Sequence, residues 1–409
     1  MGAKGKQSKR HKNGRRDAVL ETALQAFSAN GFDKTTISQI TSKSNVPEAS
    51  IYEYFQNKED ILFSLADKFL IKLREDLNVH FLGVEGVINR FRKFLWHHLY
   101  AFQEQPAYCR LFSLELLNNT RYRMSPACQS LVDYRNELRQ IIEDGIQENI
   151  FARRLIPELV EIMVFGTMHH MILSKVVLGK PLDLISKANT LFDLFMGVLL
   201  ADNYPQREVI RGENGKRRDI LTAALYEFRE SGFQQATISK IAKRAGVTEP
   251  TIYEHFKNKQ ELLYSIPESA MKGHLVESVD ADLANQDTPV HRLRIFLLHQ
   301  IRSARDFPAY YYLLTTELRS NISFYKSPHY HSLREYSARL TGILKEGVSE
   351  GIFREDLDIE AARDLYFGTL DELTLSVVIV GGSERITTYA EDVFDMILHA
   401  VLAPESVYK

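Results

Sequence analysis

Cysteine is scarce in this sequence of 409 residues, and segments typical of secretion or membrane insertion are missing. The two cysteines, Cys109 and Cys128, predict a reduced chain without structural disulfides. Residues 1–16 have no apolar centre, so they do not form a secretory signal. No apolar run approaches the ~20 residues that are needed to span a bilayer. These absences predict a soluble protein of the cytoplasm.

Motifs of common catalytic and metal sites are missing as well. The sequence has no G-x-x-x-x-G-K-[ST] phosphate loop, no nucleophile elbow and no zinc-binding pair of motifs. His97-His98 and His169-His170 are adjacent pairs, whose members point to different faces of a helix, so neither pair predicts a metal site. We expect no enzymatic activity, no metal and no cofactor.

Positive charge is concentrated in two segments of a chain whose net charge is −2. Residues 1–60 hold ten Lys and Arg against seven Asp and Glu, which gives +3. Residues 207–260 hold eleven against seven, which gives +4 and leaves −9 (−2 − 3 − 4) for the remainder. Two basic segments favour contact with a polyanion at two places. The flexible tail at 1–14 acts either as a basic arm on DNA or as a solubilising segment.

The two basic segments contain nearly the same stretch. Thr36–Lys58 reads TISQITSKSNVPEASIYEYFQNK, and Thr237–Lys259 reads TISKIAKRAGVTEPTIYEHFKNK. The spacing of apolar residues predicts two short helices in each, joined by a turn at Asn45 or Gly246. Because Gly and Asn tolerate the left-handed backbone region best, we expect both residues there. Each stretch is therefore predicted to form a helix-turn-helix.

The similarity between the two halves extends along the whole chain. Residues 15–62 and 216–263 match at 20 of 48 positions without a gap. Further along, at an offset of 202, Phe165–Thr167 and Phe367–Thr369 both read FGT. A two-copy repeat of this size indicates a duplicated domain rather than a solenoid.

Helical periodicity continues through the rest of each repeat, and the sequence contains no convincing strand. We expect an all-α protein of two tandem units. Each unit has a three-helix helix-turn-helix domain followed by a larger helical bundle. The predicted boundaries are a basic flexible tail at 1–14, a first helix-turn-helix domain at 15–60, a first helical bundle at 61–201, a linker at 202–215, a second helix-turn-helix domain at 216–261 and a second helical bundle at 262–409.

The paired helix-turn-helix, with its terminal Y-x-[YH]-F-x-N-K pattern, resembles the TetR family of bacterial transcriptional regulators over the full chain. The resemblance implies a DNA-binding repressor that a small apolar ligand releases from its operator. Thr316–Ser320, Gly342–Phe353 and Leu365–Glu372 are similar to segments of TetR-type fatty-acid-metabolism regulators, which implies a long-chain acyl-CoA as the effector. The resemblance also implies that each helical bundle binds ligand and mediates dimerisation. The departure from the family is the fusion of two protomers in one chain, so the two units are expected to pack against each other as an intramolecular pseudo-dimer.

Candidate DNA contacts occupy matching positions in the two helix-turn-helix stretches. The Thr at the start of each first helix combines a hydroxyl with free amides that can hold a phosphate. The early second helix faces the bases, and its Glu either accepts a hydrogen bond from cytosine or stabilises the helix N-terminus. The candidates are Thr36, Pro47, Glu48, Ala49, Ser50, Tyr52, Tyr54 and Lys58 in the first copy, and Thr237, Thr248, Glu249, Pro250, Thr251, Tyr253, His255 and Lys259 in the second.

The second half of each unit is rich in apolar residues and can enclose an effector cavity, although the same residues can simply form a bundle core. The ligand candidates that the resemblance implies are Glu317, Arg319, Phe367 and Asp371 in the second unit, with Glu115, Phe165 and His169 in the first. Because the two sets differ in polarity, the two pockets are expected to differ, or one alone to bind ligand.

The expected partner is a double-stranded operator with unequal half-sites, since the base-facing residues differ between the copies. Further self-association of the pseudo-dimer stays open. Two other classes of function also stay open: an interaction protein that keeps the helix-turn-helix without binding an operator, and a helical enzyme. Operator binding weakens steeply with salt, which would distinguish a regulator from an interaction protein.

Overall fold

The structure is a computed structural model that describes residues 2–117, 119–200, 216–270, 276–284, 286, 288–378 and 383–403. Within these ranges, the side chains of 2–13, 216–219, 268–270, 276–278, 378 and 383–385 are not described. The described residues form helices and turns, with one isolated antiparallel bridge between Phe353 and Leu402. The all-α prediction is therefore confirmed. The predicted linker, 202–215, lies outside the described residues.

The first repeat follows the predicted order of helices. A π-helical turn, Phe112–Leu116, follows α6, and short 3-10 turns occur at Pro126–Cys128 and Ile185–Lys187. The α-helices are α1 (Gly2–Asn30), α2 (Ile37–Ser44), α3 (Glu48–Ile51), α4 (Lys58–His80), α5 (Val87–Glu104), α6 (Pro106–Leu111), α7 (Thr120–Met124), α8 (Gln129–Gln147), α9 (Pro157–Leu178) and α10 (Ala188–Leu200).

The second repeat has the same order, and its helices α14 and α15 lie on either side of residues 271–275, which are outside the described residues. Its π-helical turn is Leu314–Leu318, and a 3-10 segment covers Ser383–Tyr389. The α-helices are α11 (Lys216–Gln235), α12 (Ile238–Ala245), α13 (Glu249–His255), α14 (Lys259–Ala270), α15 (Val276–Ala284), α16 (Pro289–Asp306), α17 (Pro308–Leu313), α18 (Ile322–Tyr325), α19 (Tyr330–Ser349), α20 (Ile359–Val378) and α21 (Ala390–Val401).

Helix α1 is longer than the sequence predicts, because it begins at Gly2 and includes the segment that was expected to be a flexible tail. Lys, Arg, Gln and Ala in this segment are good helix formers, so they extend the helix that starts the helix-turn-helix domain. The side chains of residues 2–13 are not described, so the predicted basic arm has no side-chain geometry.

The chain divides into two compact units that do not coincide with the two repeats. One unit contains Met1–Gly145 and Pro181–Ala188, and the other contains Ile146–Lys180 and Asn189–Lys409. Helices α9 and α10, which belong to the first repeat in sequence, are therefore part of the same compact unit as the second repeat. The predicted domain boundaries follow the repeats and stay a prediction.

Within that second unit, α9 packs directly against its counterpart α20. The two glycines of the repeated FGT motif lie at the closest approach: a Cβ on Gly166 would lie 2.2 Å from the carbonyl oxygen of Gly368, and the converse distance is also 2.2 Å. Farther along, a Cβ on Gly197 would lie 2.4 Å from the carbonyl oxygen of His399. Glycine is required at these positions because any side chain would overlap backbone atoms.

Helix α9 also explains an unexpected hydropathy signal. Against the expectation that no apolar run approaches a bilayer span, Pro157–Leu178 is long and apolar enough to cross a membrane. However, 78% of its apolar window is buried inside the protein. A core helix that is covered on most sides has the same apolar composition as a membrane helix, so the signal here follows from packing.

Candidate nucleic-acid interface and effector cavity

The first helix-turn-helix, formed by α2 and α3, begins with a capping box. The Thr36 hydroxyl oxygen accepts a hydrogen bond from the backbone N–H of Gln39 at 3.2 Å, and the Gln39 side chain accepts one from the backbone N–H of Thr36 at 2.9 Å. Asn45 ends α2 in the left-handed conformation, with φ 55°. The cap and the turn are therefore where the sequence predicts them.

The second helix-turn-helix, formed by α12 and α13, has the same framework. The Thr237 hydroxyl oxygen accepts a hydrogen bond from the backbone N–H of Lys240 at 3.3 Å, and Gly246 ends α12 with φ 68°. Glycine adopts this conformation at no steric cost, whereas the first copy relies on the tolerance of asparagine.

The recognition helices differ more than the helices before them. Helix α13 has seven residues, and the Thr248 hydroxyl oxygen caps it by accepting a hydrogen bond from the backbone N–H of Thr251 at 3.4 Å. Helix α3 has four residues, and Pro47 at its start provides no side-chain cap. A cap stabilises a helix start by about 1 kcal/mol, so the start of α13 has a stabilising contact that α3 lacks.

We call each helix-turn-helix domain, residues 15–60 and 216–261, a head. The candidate DNA-contacting side chains lie on the outer surface of each head. Tyr52 and Tyr253 are 58% and 53% exposed, whereas the neighbouring Ile51 and Ile252 are fully buried. This separation matches the prediction that the tyrosines and the core residues occupy different helix faces. Among the other candidates, Thr36, Pro47, Glu48, Ala49, Thr237, Thr248, Glu249, Pro250 and His255 are exposed, and Ser50, Tyr54, Lys58, Thr251 and Lys259 are half-buried.

Both candidate lysines are held by the protein itself. The Lys58 amino group donates to the carbonyl oxygens of Phe32 at 2.8 Å and Thr35 at 3.0 Å, and lies 4.2 Å from the centre of the Phe32 ring. Lys259 repeats the arrangement, with its amino group 2.7 Å from the carbonyl oxygen of Phe233. Burial lowers the pKa of Lys259, against the opposing effect of Glu317. The lysines therefore fix the turn that precedes each helix-turn-helix.

Two ligand candidates, Glu115 and Glu317, contact these same turns rather than the cavity described below. The Glu115 carboxylate accepts a hydrogen bond from the backbone N–H of Phe32 at 2.9 Å, and Glu317 accepts one from Phe233 at 3.3 Å. Burial raises the pKa of Glu115, while the hydrogen bond from Phe32 opposes that effect. Each glutamate thus connects the π-helical turn of its repeat to the DNA-binding head of the same repeat.

A cavity of about 250 Å³ lies in the second compact unit and contains the other three ligand candidates of the second repeat. Arg319 and Asp371 form an ion pair there at 2.9 Å, and Phe367 lines the wall. The lining residues are His170, Ser174, Leu178, Lys180, Gln300, Tyr310, Tyr311, Leu314, Arg319, Tyr325, Tyr330, Leu333, Arg334, Tyr336, Ser337, Glu360, Arg363, Asp364, Phe367, Leu370, Asp371 and Thr374.

The charged groups of this cavity are strongly perturbed by burial. Nδ1 of His170 lies 3.1 Å from Asp364, and Nε2 lies 4.0 Å from Asp371. Burial, with a smaller contribution from Arg319, lowers the pKa of His170 to about 3. Burial raises the pKa of Asp364 to about 7. His170 is consequently neutral at physiological pH, and it hydrogen-bonds to the Asp364 carboxyl group rather than pairing with it as a cation.

Burial and the partner charge act in opposite directions on the pKa of each member of the ion pair. Burial raises the pKa of Asp371, and the Arg319 guanidinium opposes that effect. Burial opposes the protonation of Arg319, but Asp371 more than offsets it, so the pKa of Arg319 is raised. The first-repeat candidates Phe165 and His169 lie on α9, where both are buried and their rings are 5.6 Å apart.

Family models match both halves of the chain. The model of bacterial regulatory proteins of the tetR family matches residues 19–65 and 220–266. The model of the YsiA-like protein C-terminal region matches residues 67–198 and 269–400. Together the matches cover most of the sequence in tandem. The chain belongs to the TetR family. It is a DNA-binding transcriptional regulator, as the sequence predicts.

Curated TetR-family relatives correspond to about half of this chain. The fatty acid metabolism regulator protein of Bacillus subtilis (strain 168) is 29% identical over 186 residues, which are 46% of this chain and 95% of the relative. The HTH-type transcriptional repressor KstR2 of Rhodococcus jostii (strain RHA1) is 26% identical over 208 residues, 49% of this chain and 98% of the relative. These relatives are transcriptional regulators rather than enzymes, and they support the predicted ligand-responsive repressor.

Each of two solved FadR structures also matches less than half of this chain and nearly all of its own length. The fatty acid degradation regulator FadR from Bacillus halodurans has a TM-score of 0.42 and 30% identity, covering 44% of this chain and 97% of its own. FadR from Bacillus subtilis, solved in complex with stearoyl-CoA, gives the same TM-score, identity and coverage.

Sequence reasoning missed several residues of the cavity. His170 was considered only as a metal ligand, and Tyr310, Tyr336, Arg363 and Asp364 were not singled out. A comparison of the two repeats could have identified two of them. At an offset of 202, Arg363 and Asp364 correspond to residues of quite different chemistry in the first copy. Positions that differ between otherwise similar copies identify the functional divergence better than the shared ones do.

Proposed function

We propose that one chain represses transcription in the cytoplasm by binding an operator with both helix-turn-helix heads, and that a small-molecule effector releases it. The pair of heads carries this proposal: they keep the same threonine cap, left-handed turn and lysine anchor. They nevertheless present different base-facing residues, Pro47–Ser50 in one and Thr248–Thr251 in the other. The operator is accordingly pseudo-palindromic with unequal half-sites.

The candidate residues divide into three roles in this proposal. The early recognition-helix residues face base edges in the major groove. The exposed Tyr52 and Tyr253 donate hydrogen bonds to phosphate oxygens, and the Thr36 and Thr237 hydroxyl groups donate to a phosphate at a helix N-terminus. Tyr54 and His255 extend the phosphate-contacting face. Lys58 and Lys259 position the head, because their amino groups already donate to backbone carbonyls.

The two repeats act as a pseudo-dimer in this proposal. Its support is the reciprocal approach of Gly166 and Gly368, which are counterparts at an offset of 202. Counterparts that contact each other are the signature of an isologous, two-fold interface. Fusion removes the concentration dependence of dimerisation and allows the two heads to diverge.

The proposed effector is a long-chain acyl-CoA. The B. subtilis FadR structure contains stearoyl-CoA, and the second-repeat cavity combines apolar walls with an arginine. Arg319, Phe367 and Asp371 are the proposed ligand contacts. Glu115 and Glu317, by contrast, are proposed to transmit the state of each bundle to its head, because they hydrogen-bond to the turn before the helix-turn-helix.

The proposal is tested by measuring binding to DNA from the upstream region of the chain's own gene and to operators selected from random duplexes. The natural site should bind more tightly than a perfect palindrome of either half-site, because each head reads its own sequence. The affinity should fall steeply with salt as counterions are recaptured. Tyr52→Phe and Tyr253→Phe should each weaken binding without unfolding the chain. If no DNA sequence is preferred over random duplex, the chain is an interaction protein instead.

A further inference from the structure

The cavity of the second compact unit is built by both repeats. Helix α9 of the first repeat contributes His170, Ser174 and Leu178 to its lining, and helices α16 to α20 with their connections supply most of the rest. A first-repeat residue therefore lies inside the pocket of the second repeat. His170 is in direct contact with Asp364 of that repeat at 3.1 Å.

The lining contains buried donors without a partner among the described residues. These are Nε of Arg319, Nε of Arg363 and the hydroxyls of Tyr310 and Tyr336. Buried polar groups in folded proteins are nearly always hydrogen-bonded, so four such donors around one cavity need an explanation. A ligand with several acceptor oxygens would satisfy them, and the two guanidinium groups favour a negatively charged one.

The corresponding residues of the first repeat cannot make the same site. At an offset of 202, the counterpart of Arg319 is Leu117, and that of Arg363 is Glu161. Both cationic donors are thus replaced, one by an apolar side chain and the other by an acid. The acidic partners change as well, because Asp364 and Asp371 correspond to Ile162 and His169.

We propose that each chain has one effector site rather than two, located in the second repeat, completed by His170 from the first, and specific for an acidic head group on an apolar chain. The acceptor oxygens of that head group bind Nε of Arg319 and the neighbouring donors. This inference rests on the proposed ligand-responsive regulator and specifies its stoichiometry and its site. A fatty acid has such acceptor oxygens in its carboxylate, and an acyl-CoA has them in its thioester and phosphates.

His170 connects this single site to both repeats. It lies between Asp364 and Asp371, and Asp371 is also the ion-pair partner of Arg319. A ligand that engages Arg319 therefore changes the surroundings of His170 through Asp371, whose carboxylate lies 4.0 Å from Nε2 of His170. Because His170 lies on α9, which packs against α20, the change reaches the helices that join the repeats.

The test uses the full chain, with stearoyl-CoA and stearate as separate probes. Isothermal titration and native mass spectrometry should give one bound ligand per chain for at least one probe. Binding of stearate alone identifies a carboxylate site, and binding of stearoyl-CoA alone identifies a site that needs the thioester and phosphates. Both results support the single site, and operator binding of the same preparation serves as the functional control.

Two sets of variants locate the site. Arg319→Leu combined with Asp371→His gives the second repeat the residue pair of the first and should weaken probe binding roughly tenfold to a hundredfold, since hydrogen bonds to a charged group are lost. His170→Asn should lower the probe's ability to release operator more than it lowers probe affinity. Glu158→Gln, at an exposed position of the same helix outside the cavity, is the control and should leave the stoichiometry at one.

The outcomes separate this inference from the proposed function. Two ligands per chain, or full affinity in the Arg319→Leu/Asp371→His variant with unchanged operator binding, would overturn the single site. Failure of both probes with intact operator binding would overturn the acidic ligand while the DNA-binding regulator stands. If the wild-type chain does not bind an operator, the proposed function itself is contradicted.

Discussion

The two DNA-binding heads and the two effector regions have diverged in opposite ways. The heads keep their framework, because Thr36, Asn45 and Lys58 have structural equivalents in Thr237, Gly246 and Lys259. The effector regions keep their helices but not their chemistry, as the change from Leu117 to Arg319 illustrates. The two copies therefore keep the residues that build each head, and they differ at the positions proposed to contact bases and ligand.

The interface between α9 and α20 should be the most sensitive part of the framework. Gly368→Leu places a side chain where a Cβ already lies 2.2 Å from a carbonyl oxygen, so the helices must separate. We expect a loss of about 3 kcal/mol or more in the free energy of unfolding. Gly166→Leu should cost as much, because the contact is reciprocal.

Gly342→Ala provides the control for this prediction. A Cβ on Gly342 meets nothing within 4 Å, and the residue lies within helix α19. The substitution should stabilise the chain by about 0.5–1 kcal/mol in urea denaturation. Equal effects of the two substitutions would show that close helix approach does not determine stability.

The glutamates that hold the heads should come next in effect. Glu115→Ala and Glu317→Ala each leave a backbone N–H without its acceptor, which costs about 1–3 kcal/mol when the group is buried. Hydrogen exchange of the Phe32 and Phe233 amides should accelerate accordingly. We expect the larger change for Phe32, whose hydrogen bond is 2.9 Å against 3.3 Å for Phe233. Unchanged exchange in both variants would rule out these contacts as links to the heads.

The polar residues of the cavity should make the stability of the second compact unit depend on pH. Folding favours neutral His170, whose pKa falls from 6.5 to about 3, so its contribution to stability falls as the pH drops through that range. Folding also favours protonated Asp364, whose pKa rises from 3.8 to about 7, so its contribution falls as the pH rises. The two slopes oppose each other in the wild type. Each has a maximum of about 1.4 kcal/mol per pH unit.

Single variants should reveal the two slopes separately. In His170→Asn the unfolding free energy should fall between pH 4 and 7, relative to the wild type, because Asp364 alone remains. In Asp364→Asn it should rise over the same interval, because His170 alone remains. Chemical denaturation at a series of pH values measures both, and parallel profiles for the two variants would contradict the assignment.

The smallest predicted effect distinguishes the two recognition helices. Thr248→Ala removes the cap of α13 and should cost about 1 kcal/mol locally, whereas Pro47→Ala removes no cap. Hydrogen exchange of the Thr251 amide should accelerate in the first variant, with no matching change at Ser50 in the second. Similar responses in both heads would mean that the Thr248 side chain does not stabilise the start of α13.

Local sequence was sufficient to predict the helices and turns of the two heads. Capping and left-handed turns depend on residues a few positions apart, so Thr36 and Asn45 could be interpreted without tertiary information. The helical character of each bundle followed from periodicity in the same way, and α5 at Val87–Glu104 is one of its helices. The fold class and the family were therefore predictable from the residues themselves.

The contacts of the ligand candidates depended on tertiary packing and could not be predicted in the same way. Glu115 and Glu317 lie on the predicted helices, but only the folded chain brings them to Phe32 and Phe233. His170 enters the cavity because α9 packs with the other repeat. The glycines of the FGT motif were recognised as repeated, yet their reason, backbone contact across the interface, required both helices.

The most direct measurement is the number of chains on one natural operator, determined by native mass spectrometry and by footprinting of the same complex. Two unlike heads on one chain predict a single chain per duplex, with a footprint that covers both unequal half-sites. Two chains per duplex, or one chain that protects a single half-site, would contradict the account.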